Sequence, residues 1–567
     1  MPSLYGNISG LKGNYLHALE KVYRRKVPAD KVITPELARY LTELSSEIGR
    51  QIGILITRDG RVPRVIVGDA KGVFIPGLED FPLGRRALRG IRLVHTHLKN
   101  EPLSQDDLTD LALLRLDIIA AIGVKDSLPD NIYTAHLTPQ GSEKPVDVSP
   151  AVSFHRFNLD FIPFIESLEE EMDRKRSFDR SEIPTRSGKD SRERAILISV
   201  SKKPKYEQED SLEELKELAF SSDVVVLDTV IQRPKDINPK YLMGEGKLKD
   251  VIINALNKGA TLLIFDQDLN PSQVKAIGEI TEIKVIDRSQ LILDIFARRA
   301  HSRDGKVQVE LAQLKYRLPR LTGKGTAMSR LMGGIGGRGP GEMKLEIDRR
   351  RVRDRITLLE NELKSLGEAR KQRKQRRVEK RIPIVSIIGY TNAGKSTLLN
   401  SLTKSGVFVE DKMFATLDTA SRRLRFPKER DVIITDTVGF IRDLPKDLMT
   451  AFKSTLEELQ DADLLLHLVD ISNPRFEQQM ESVENILREL NLSDKKRIIV
   501  FNKTDKAAED EIKNIALRYN AICISALSQS TFNPLLDAIE KNIWDNENFE
   551  GDRSHKSTSQ VDSNYLR

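Results

Sequence analysis

The chain has 567 residues, of which 39% are hydrophobic and 31% charged, so it is long enough for three or four domains with sizeable cores and is not wholly disordered. Its 91 basic and 84 acidic residues leave a net charge of +7, a balance that by itself indicates neither a nucleic acid nor a membrane as partner. A single cysteine, Cys523, excludes an internal disulfide framework, and because the sequence shows no signal peptide and no long apolar run we expect a cytoplasmic protein without a membrane span.

Residues 1–180 predict an extra α/β domain at the N-terminus. Apolar residues recur at helical spacing over residues 35–49. Two strands are expected next, Ile52–Thr57 and Arg64–Gly68, and a third strand ends at a pair of histidines. The alternation of the two kinds of element favours a compact domain of its own.

The histidine pair is the one metal-like signal in the sequence. His95 and His97 are one residue apart at a strand end, so their side chains point the same way. Asp107 follows at the start of the next helix, and three such ligands with one open water position are typical of a Zn²⁺ site. Other interpretations stay open: a strand end whose histidines are satisfied by hydrogen bonds, or a metal-free relative of a metal-binding fold.

This pattern resembles the JAMM/MPN metalloprotease motif, in which H-x-H is followed after seven residues by S-x-x-D. Here six residues separate His97 from Ser104, and Leu98 stands where the family usually has proline. The family also needs an upstream glutamate as general acid and base, for which only Glu43 or Glu47 could be offered. The resemblance implies Zn²⁺ as a cofactor of this domain, and metallopeptidase activity as an alternative function for residues 95–107.

Residues 181–305 predict a second, small α/β domain. The charged, serine-rich stretch Asp173–Arg194, which follows an expected helix at Phe154–Met172, is typical of a linker. Strands and helices then alternate at a spacing that indicates a mostly parallel sheet. Gly244-Glu245-Gly246-Lys247 opens a helix, where an anion could bind. Because it lacks the spacing of a phosphate loop, we interpret it as a turn and helix cap, and anion binding stays the alternative.

Residues 306–381 predict a projecting helical hairpin. A helix is expected at Lys306–Leu318, and the second helix carries a heptad seam from Val352 to Leu366. Residues 322–341 between them contain eight glycines in twenty residues and would form the tip. The surrounding segment has basic but no acidic residues, so we expect RNA contact there, through Arg320, Lys324, Arg330 and Arg338.

A third domain is expected at residues 382–545, and it opens on a phosphate-binding loop. A short apolar run leads into Gly389–Ser396, which reads G-x-x-x-x-G-K-S, and then into a helix-forming segment. Glycines let backbone N–H groups turn toward phosphate oxygens, and the helix N-terminus adds a positive dipole end. Lys395 would reach the β- and γ-phosphates and Ser396 would bind Mg²⁺.

Further motifs follow in the order that a guanine-nucleotide site requires. Thr416 would close over Mg²⁺ and the γ-phosphate, and the strand-end motif Asp436–Gly439 would hold the metal through water and touch the γ-phosphate. Asp505, in the motif N-K-x-D that begins at Asn502, would accept from the guanine N1–H and amino group. The expected catalytic residues are Lys395, Thr416 and Gly439; the expected metal ligands are Ser396, Thr416 and, through water, Asp436; and the residues expected to bind GTP are Gly389, Tyr390, Thr391, Asn392, Ala393, Gly394, Lys395, Ser396, Phe414, Ala415, Thr416, Leu417, Asp418, Asp436, Thr437, Val438, Gly439, Asn502, Lys503, Thr504, Asp505, Ser525, Ala526 and Leu527.

The combined pattern over roughly residues 195–545 resembles the HflX family of translation-factor-like GTPases. The resemblance rests on the glycine-rich segment running into Gly341–Arg350, the basic helix, and the motifs Gly389–Ser396, Phe414–Asp418 and Asp436–Phe440. It implies a monomeric, cytoplasmic GTPase that uses Mg²⁺, binds the large (50S) ribosomal subunit and its rRNA, and rescues or splits ribosomes or assists their assembly. Residues 1–180 are not part of the common family core, and residues 546–567 predict a disordered polar tail.

Phe440 follows the Asp436–Gly439 motif, where signalling GTPases often have a glutamine that orients water. Phenylalanine can neither orient a water molecule nor accept a proton from it. We therefore expect slow intrinsic hydrolysis that the ribosome stimulates. An ATPase is disfavoured by Asn502 and Asp505, and a non-ribosomal RNA-binding GTP switch remains the main alternative. The fold class is therefore α/β and multidomain, with a P-loop domain whose mostly parallel sheet has helices on both faces.

Overall fold

The computed structural model describes three α/β domains and a helical hairpin. The residues that it describes are 3–78, 80–82, 86–139, 141–142, 144–181, 192–321, 341–378, 382–403, 413, 420–426, 430–437, 439–442, 457–506 and 509–544. The predicted tip at 322–341 lies outside these residues, except for Gly341, and so does the predicted tail at 546–567.

The first domain is built on an eight-stranded mixed sheet in the order β1-β3-β2-β4-β5-β6-β7, with β8 beside β6. Strand β4, which carries the histidines, lies inside the sheet, antiparallel to β2 and parallel to β5. The elements in chain order are β1 (Tyr5–Gly6), α1 (Gly13–Val22), α2 (Pro35–Ile48), β2 (Ile52–Thr57), β3 (Arg64–Val67), β4 (Ile91–His97), α3 (Gln105–Leu114), β5 (Ile119–Lys125), β6 (Leu128–Leu137), β7 (Val146–Val148), β8 (Val152–Ser153) and α4 (Phe161–Ser181).

Helix α4 corrects the predicted linker. It continues to Ser181, so the first part of the stretch expected to be a linker is helical. Phe161, Ile165, Leu168 and Met172 recur at helical spacing and are buried against the sheet. The charged residues after Met172 are good helix formers, and they extend the helix once its apolar face is anchored.

The second domain has a four-stranded sheet in the order β10-β9-β11-β12, and every pairing in it is parallel. The predicted parallel α/β domain is therefore confirmed, and Gly244 is the N-cap of α6 as expected for a turn and cap. Its elements are β9 (Arg194–Val200), α5 (Lys205–Ser221), β10 (Val225–Gln232), α6 (Glu245–Asn257), β11 (Leu262–Phe265), α7 (Pro271–Ile280), β12 (Lys284–Asp287) and α8 (Arg288–Arg299).

The expected hairpin is formed by α9 (Arg303–Arg317) and α10 (Gly341–Val378). Leu359 of α10 is buried between Val307 and Leu311 of α9. Ion pairs run along its sides, with Arg303 on Glu362 at 2.8 Å and Arg355 on Glu310 at 2.8 Å. Since residue numbers rise along one helix as they fall along the other, the two helices are antiparallel.

The third domain has a six-stranded sheet in the order β14-β15-β13-β16-β17-β18, in which only β14 is antiparallel to its neighbour. This confirms the predicted mostly parallel sheet. Its elements are β13 (Ile384–Gly389), α11 (Lys395–Thr403), β14 (Ala420–Phe426), β15 (Arg430–Asp436), β16 (Leu464–Asp470), α12 (Phe476–Glu489), β17 (Arg497–Asn502), α13 (Glu509–Tyr519), β18 (Ile522–Cys523) and α14 (Asn533–Trp544).

The second domain lies between the other two. Its α5 and α8 face shares one apolar cluster with Tyr390, Met413 and Ile441 of the third domain. On the opposite face, α6 packs against α3 of the first domain, where Asn257 Nδ2 donates to the Ser142 carbonyl at 3.1 Å. Among the helices of the described ranges, none combines the length and the apolar character that crossing a bilayer requires.

Candidate nucleotide-binding site

The loop between β13 and α11 has two positions that only glycine fits. Gly389 has φ = 151°, and a Cβ there would lie 2.2 Å from the Leu468 carbonyl oxygen. Gly394 has φ = 91°, and a Cβ there would lie 2.4 Å from Asn502 Nδ2. A side chain at either place would push the loop off the strands beneath it, so the loop keeps its backbone N–H groups at the end of the sheet.

Lys395 is buried at the start of α11. Its Nζ donates to the carbonyl oxygens of Gly389 at 3.2 Å and Tyr390 at 2.8 Å. Burial lowers its pKa to about 8, although the nearby Asp436 carboxylate acts in the opposite direction. A buried ammonium held by two carbonyls lacks a full counter-charge, and the phosphates of a nucleotide would supply it.

Ser396 and Asp436 bring a hydroxyl and a carboxylate together. Ser396 Oγ donates to Asp436 Oδ2 at 2.6 Å, and Asp436 is fully buried at the end of β15. Gly439 lies next to them, since a Cβ there would be 3.0 Å from Lys395 Nζ. Oxygen donors at this position suit the hard cation Mg²⁺.

Asn502 joins the phosphate loop to the segment expected to meet the guanine base. Its Nδ2 donates to the Ala393 carbonyl at 2.8 Å, and its Oδ1 accepts from the Ala526 N–H at 2.8 Å. It is fully buried, so both ends of the amide are occupied inside the protein. The side chain therefore acts as a brace for the loops on either side of it.

Asp505 presents its carboxylate at the surface beside this brace. Ser525 Oγ donates to Asp505 Oδ1 at 2.6 Å, and this hydrogen bond holds the pKa of Asp505 below its usual value. Lys503 is paired with Asp470 at 2.7 Å. The carboxylate is thus ionised and oriented at neutral pH, as recognition of guanine N1–H and amino groups requires.

Phe440 turns its side chain away from the phosphate loop. The ring is buried among Ile388, Leu459 and Leu465, while its N–H donates to the Gly389 carbonyl at 3.1 Å and its carbonyl accepts from the Thr391 N–H at 2.8 Å. Its backbone therefore fixes the position of the phosphate loop, and its ring takes no part in orienting water.

Six of the residues predicted to bind GTP lie outside the described residues, so their placement stays a prediction. They are Phe414, Ala415, Thr416, Leu417, Asp418 and Val438.

Comparison with known proteins decides the family. Family models match the chain at residues 209–297, described as GTP-binding GTPase N-terminal, at 299–377, described as GTP-binding GTPase Middle Region, and at 384–503, described as 50S ribosome-binding GTPase. The GTPase HflX of Caldanaerobacter subterraneus is 48% identical over 353 residues, which cover 62% of this chain and 81% of that protein. The chain belongs to the HflX family of GTPases.

Other HflX proteins agree with this assignment. Those of Lacrimispora saccharolytica and Escherichia coli are 46% and 41% identical over 352 and 322 residues. The matches cover 62% and 57% of this chain and 83% and 75% of those proteins. As an HflX GTPase, the protein binds GTP and hydrolyses it to GDP and phosphate.

One predicted RNA contact of this HflX GTPase, Arg320, makes several contacts inside the protein, and its contact with RNA stays a prediction. Arg320 lies in a short 3₁₀ turn after α9, with its guanidinium 3.4 Å from the centroid of the Tyr316 ring and bonded to the Leu269 carbonyl at 2.6 Å and to Asp287 at 3.3 Å. Its two terminal nitrogens donate inside the protein, to the carbonyls of Tyr316 and Leu269 and to Asp287, and so tie the end of the hairpin to the second domain. Lys324, Arg330 and Arg338 lie outside the described residues.

The structure brings His95, His97 and Asp107 of the HflX GTPase into one cluster. The two Nε2 atoms are 2.9 Å apart, and Asp107 oxygens lie 3.3 Å from His95 Nε2 and 3.6 Å from His97 Nε2. Both imidazoles are buried, and Asp107 sits in the capping box that Ser104 forms at the start of α3. The sequence therefore predicted this grouping correctly.

Hydrogen bonds orient the side chains of the cluster, and burial shifts their pKa values. His97 Nδ1 donates to the Glu101 carbonyl at 2.8 Å, which leaves Nε2 facing the other two residues. Burial lowers the pKa of His95. Burial also opposes the ionised form of Asp107, but hydrogen bonds from both histidines outweigh it and hold the pKa of Asp107 well below its usual value.

The candidate glutamates offered from sequence do not reach this cluster. Glu43 pairs with Arg39 at 2.8 Å along the outside of α2, and Glu47 is exposed. Gln51, just before β2, is fully buried, and within the described part of the chain neither of its amide atoms has a hydrogen-bond partner. Sequence reasoning did not single out Gln51, because a single glutamine before a strand has no pattern.

Proposed function

We propose that this GTPase acts on the large ribosomal subunit in the cytoplasm, as a monomer, and contacts rRNA through the α9–α10 hairpin. It would work in ribosome splitting, rescue or assembly, with GTP binding and hydrolysis controlling its attachment. Support comes from the description of the family model over residues 384–503, which is that of a 50S ribosome-binding GTPase.

The hairpin is the observation that carries the proposal. Helix α10 has 38 residues, so it is about 57 Å long at 1.5 Å per residue. Arg350, Arg351 and Arg353 are exposed along it, and among the described side chains of the helix those at its centre pack on α9. A long basic helix with such a face suits the phosphates of rRNA.

We propose that hydrolysis is slow in the isolated protein and faster on the ribosome. The buried ring of Phe440 supports this, because it leaves the position after Gly439 without a group that orients water. A partner that orders the neighbouring loops would then set the rate.

Magnesium fits the donor atoms at the end of β15. Ser396 would bind it through the hydroxyl and Asp436 through a water molecule, and the ion would neutralise charge on the phosphates. Thr416 is proposed as a further ligand. Lys395, Thr416 and Gly439 are proposed to act on the γ-phosphate.

Co-sedimentation tests the ribosomal part of the proposal. The protein should pellet with large subunits in the presence of a non-hydrolysable GTP analogue and remain in solution with GDP. Binding to unrelated structured RNA of equal strength would support a non-ribosomal RNA-binding switch instead. A variant in which Arg350, Arg351 and Arg353 are changed to Gln should pellet less, while its GDP affinity stays unchanged because these residues lie outside the nucleotide site.

A second candidate function is Zn²⁺ binding by His95, His97 and Asp107. Four ligands around Zn²⁺ at about 2.0–2.1 Å stand about 3.3 Å from one another. The observed separations of 2.9, 3.3 and 3.6 Å bracket that value. Bound zinc would supply a Lewis acid with one open position.

Metal analysis of the full chain tests this candidate. We expect about one zinc per chain for the wild type and none for His95→Ala. His136→Ala is the matched control, because His136 is a half-buried histidine of the same sheet that faces Asp147 at 3.8 Å, outside the cluster. Equal zinc content in all three proteins would rule the site out, and peptidase activity lost only in His95→Ala would favour the metallopeptidase alternative.

A further inference from the structure

The side chain of Tyr390, a residue of the third domain, contacts the second domain through its hydroxyl. Tyr390 is the first variable residue of the phosphate loop, yet its side chain is buried in the apolar cluster formed by α5 and α8. There its hydroxyl donates to Glu214 Oε1 at 2.7 Å. A residue of the phosphate loop is thus fastened to another domain by a buried, charge-assisted hydrogen bond.

The same hydroxyl accepts a hydrogen bond from the chain that follows Gly439. The Arg442 N–H lies 2.6 Å from Tyr390 Oη and 3.4 Å from Glu214 Oε1. Arg442 is three residues beyond the glycine expected to touch the γ-phosphate. One oxygen atom therefore joins the phosphate loop, the segment behind the γ-phosphate sensor, and the second domain.

A buried arginine pairs with Glu214 in this position. Arg288 lies 3.0 Å from Glu214 and 2.9 Å from Asp266; Arg288 and Asp266 are buried, and the Glu214 side chain is 12% exposed. Ser211 Oγ, from the same helix as Glu214, donates to Asp266 at 3.0 Å. Because burial and the Glu214 carboxylate raise the pKa of Tyr390, its hydroxyl keeps its proton and remains the donor.

Simple adhesion between the domains does not explain this arrangement. Other contacts already join them: Arg475 pairs with Asp210, and the Met413 N–H donates to Ser221 Oγ at 2.9 Å. Neither involves the phosphate loop. The bond from Arg442 to Tyr390 lies within the third domain, and Glu214 is within hydrogen-bond distance of both of its partners.

We propose that Tyr390 and Glu214 are positioning residues for GTP hydrolysis, through which the second domain holds the segment after Gly439 in its working place. Withdrawal of Glu214 would free that segment and slow the chemical step, while the nucleotide stays bound by Lys395 and Asp505. By reciprocity, a nucleotide that orders the segment strengthens the association between the second and third domains. The proposal depends on the GTPase activity and not on the ribosome.

Single-turnover hydrolysis by the full-length protein without ribosomes tests the proposal, together with affinity for a fluorescent GDP. Tyr390→Phe and Glu214→Ala should each lower the hydrolysis rate about 2- to 10-fold, the effect of one hydrogen bond. Their GDP affinities should stay within about twofold of the wild type. The double variant should be no slower than the slower single variant, because both changes break one linkage.

Arg475→Ala is the matched control. It removes an ion pair across the same pair of domains but leaves the Tyr390 hydroxyl in place, so the hydrolysis rate should not change. A rate for Tyr390→Phe equal to that of the wild type would overturn the proposal. So would an equal fall in Arg475→Ala, or a parallel loss of GDP affinity in Tyr390→Phe, since either would indicate a merely structural role.

Discussion

The nucleotide site and the histidine cluster are both buried polar groups at strand ends, but they are assembled differently. The first joins the loops after β13, β15, β17 and β18, with Asn502 bridging two of them. The second uses one strand, β4, and the capping box of the next helix. Because four separate segments supply groups for phosphate, metal and base, the first site indicates which ligand binds. One strand and one turn indicate only how the side chains of the second site are arranged. This is why the first site defines a function and the second defines a set of ligand atoms.

The largest effect should come from breaking the nucleotide site at its base-recognition residue. Asp505→Asn removes the negative acceptor that Ser525 orients, and hydrogen bonds to a charged group are worth about 1.5–3 kcal/mol each. With two such bonds to guanine, GDP affinity should fall at least about 100-fold. Titration of a fluorescent GDP measures it. A loss of less than about tenfold would show that Asp505 does not read the base.

A smaller effect should come from removing metal from the histidine cluster. A ligand present at 100 times its dissociation constant stabilises the folded state by about 2.7 kcal/mol. A chelator should therefore lower the melting temperature of the first domain in the wild type and leave His95→Ala unaffected. Equal shifts in both proteins would mean that any bound metal lies elsewhere.

The smallest of these effects concerns a histidine buried in the third domain. His467 on β16 is buried, and burial lowers its pKa to about 4. Between this value and about 6.5 the unfolded chain binds a proton that the folded domain does not, so stability falls as pH drops. The loss should reach about 2 kcal/mol at pH 5.

Denaturation at pH 7 and pH 5 measures this loss, followed by fluorescence of Trp544, the single tryptophan, which lies in the third domain. His467→Leu should lose about 2 kcal/mol less between the two pH values. The same pH dependence in wild type and variant would show that other groups are responsible.

Much of the third domain could be predicted because its signals are local and repeated in a fixed order. Glycine at 389 and 394 is demanded by backbone geometry, and the motifs at Gly389, Asp436 and Asn502 lie at the ends of short apolar runs that predict buried strands. The grouping of His95 with Asp107 was predictable for a similar reason, since strand alternation and a helix cap leave few arrangements.

Other features could not be read from the sequence because they depend on long-range contacts. Glu214 is 176 residues from Tyr390 along the chain, and nothing in either segment marks the pair. The sequence around Arg320 indicated an exposed basic residue, whereas in the structure its guanidinium stacks on the ring of Tyr316. The composition after Met172 suited a linker as well as a helix, and only packing of the earlier turns of α4 decided between them.

GTP hydrolysis measured with and without purified large ribosomal subunits tests the central claim most directly. We expect a slow rate for the protein alone and a rise of at least about tenfold with large subunits. The rise should be absent in Lys395→Ala, and small subunits added instead should leave the rate unchanged. Fast hydrolysis by the protein alone, with no increase on addition of large subunits, would contradict it.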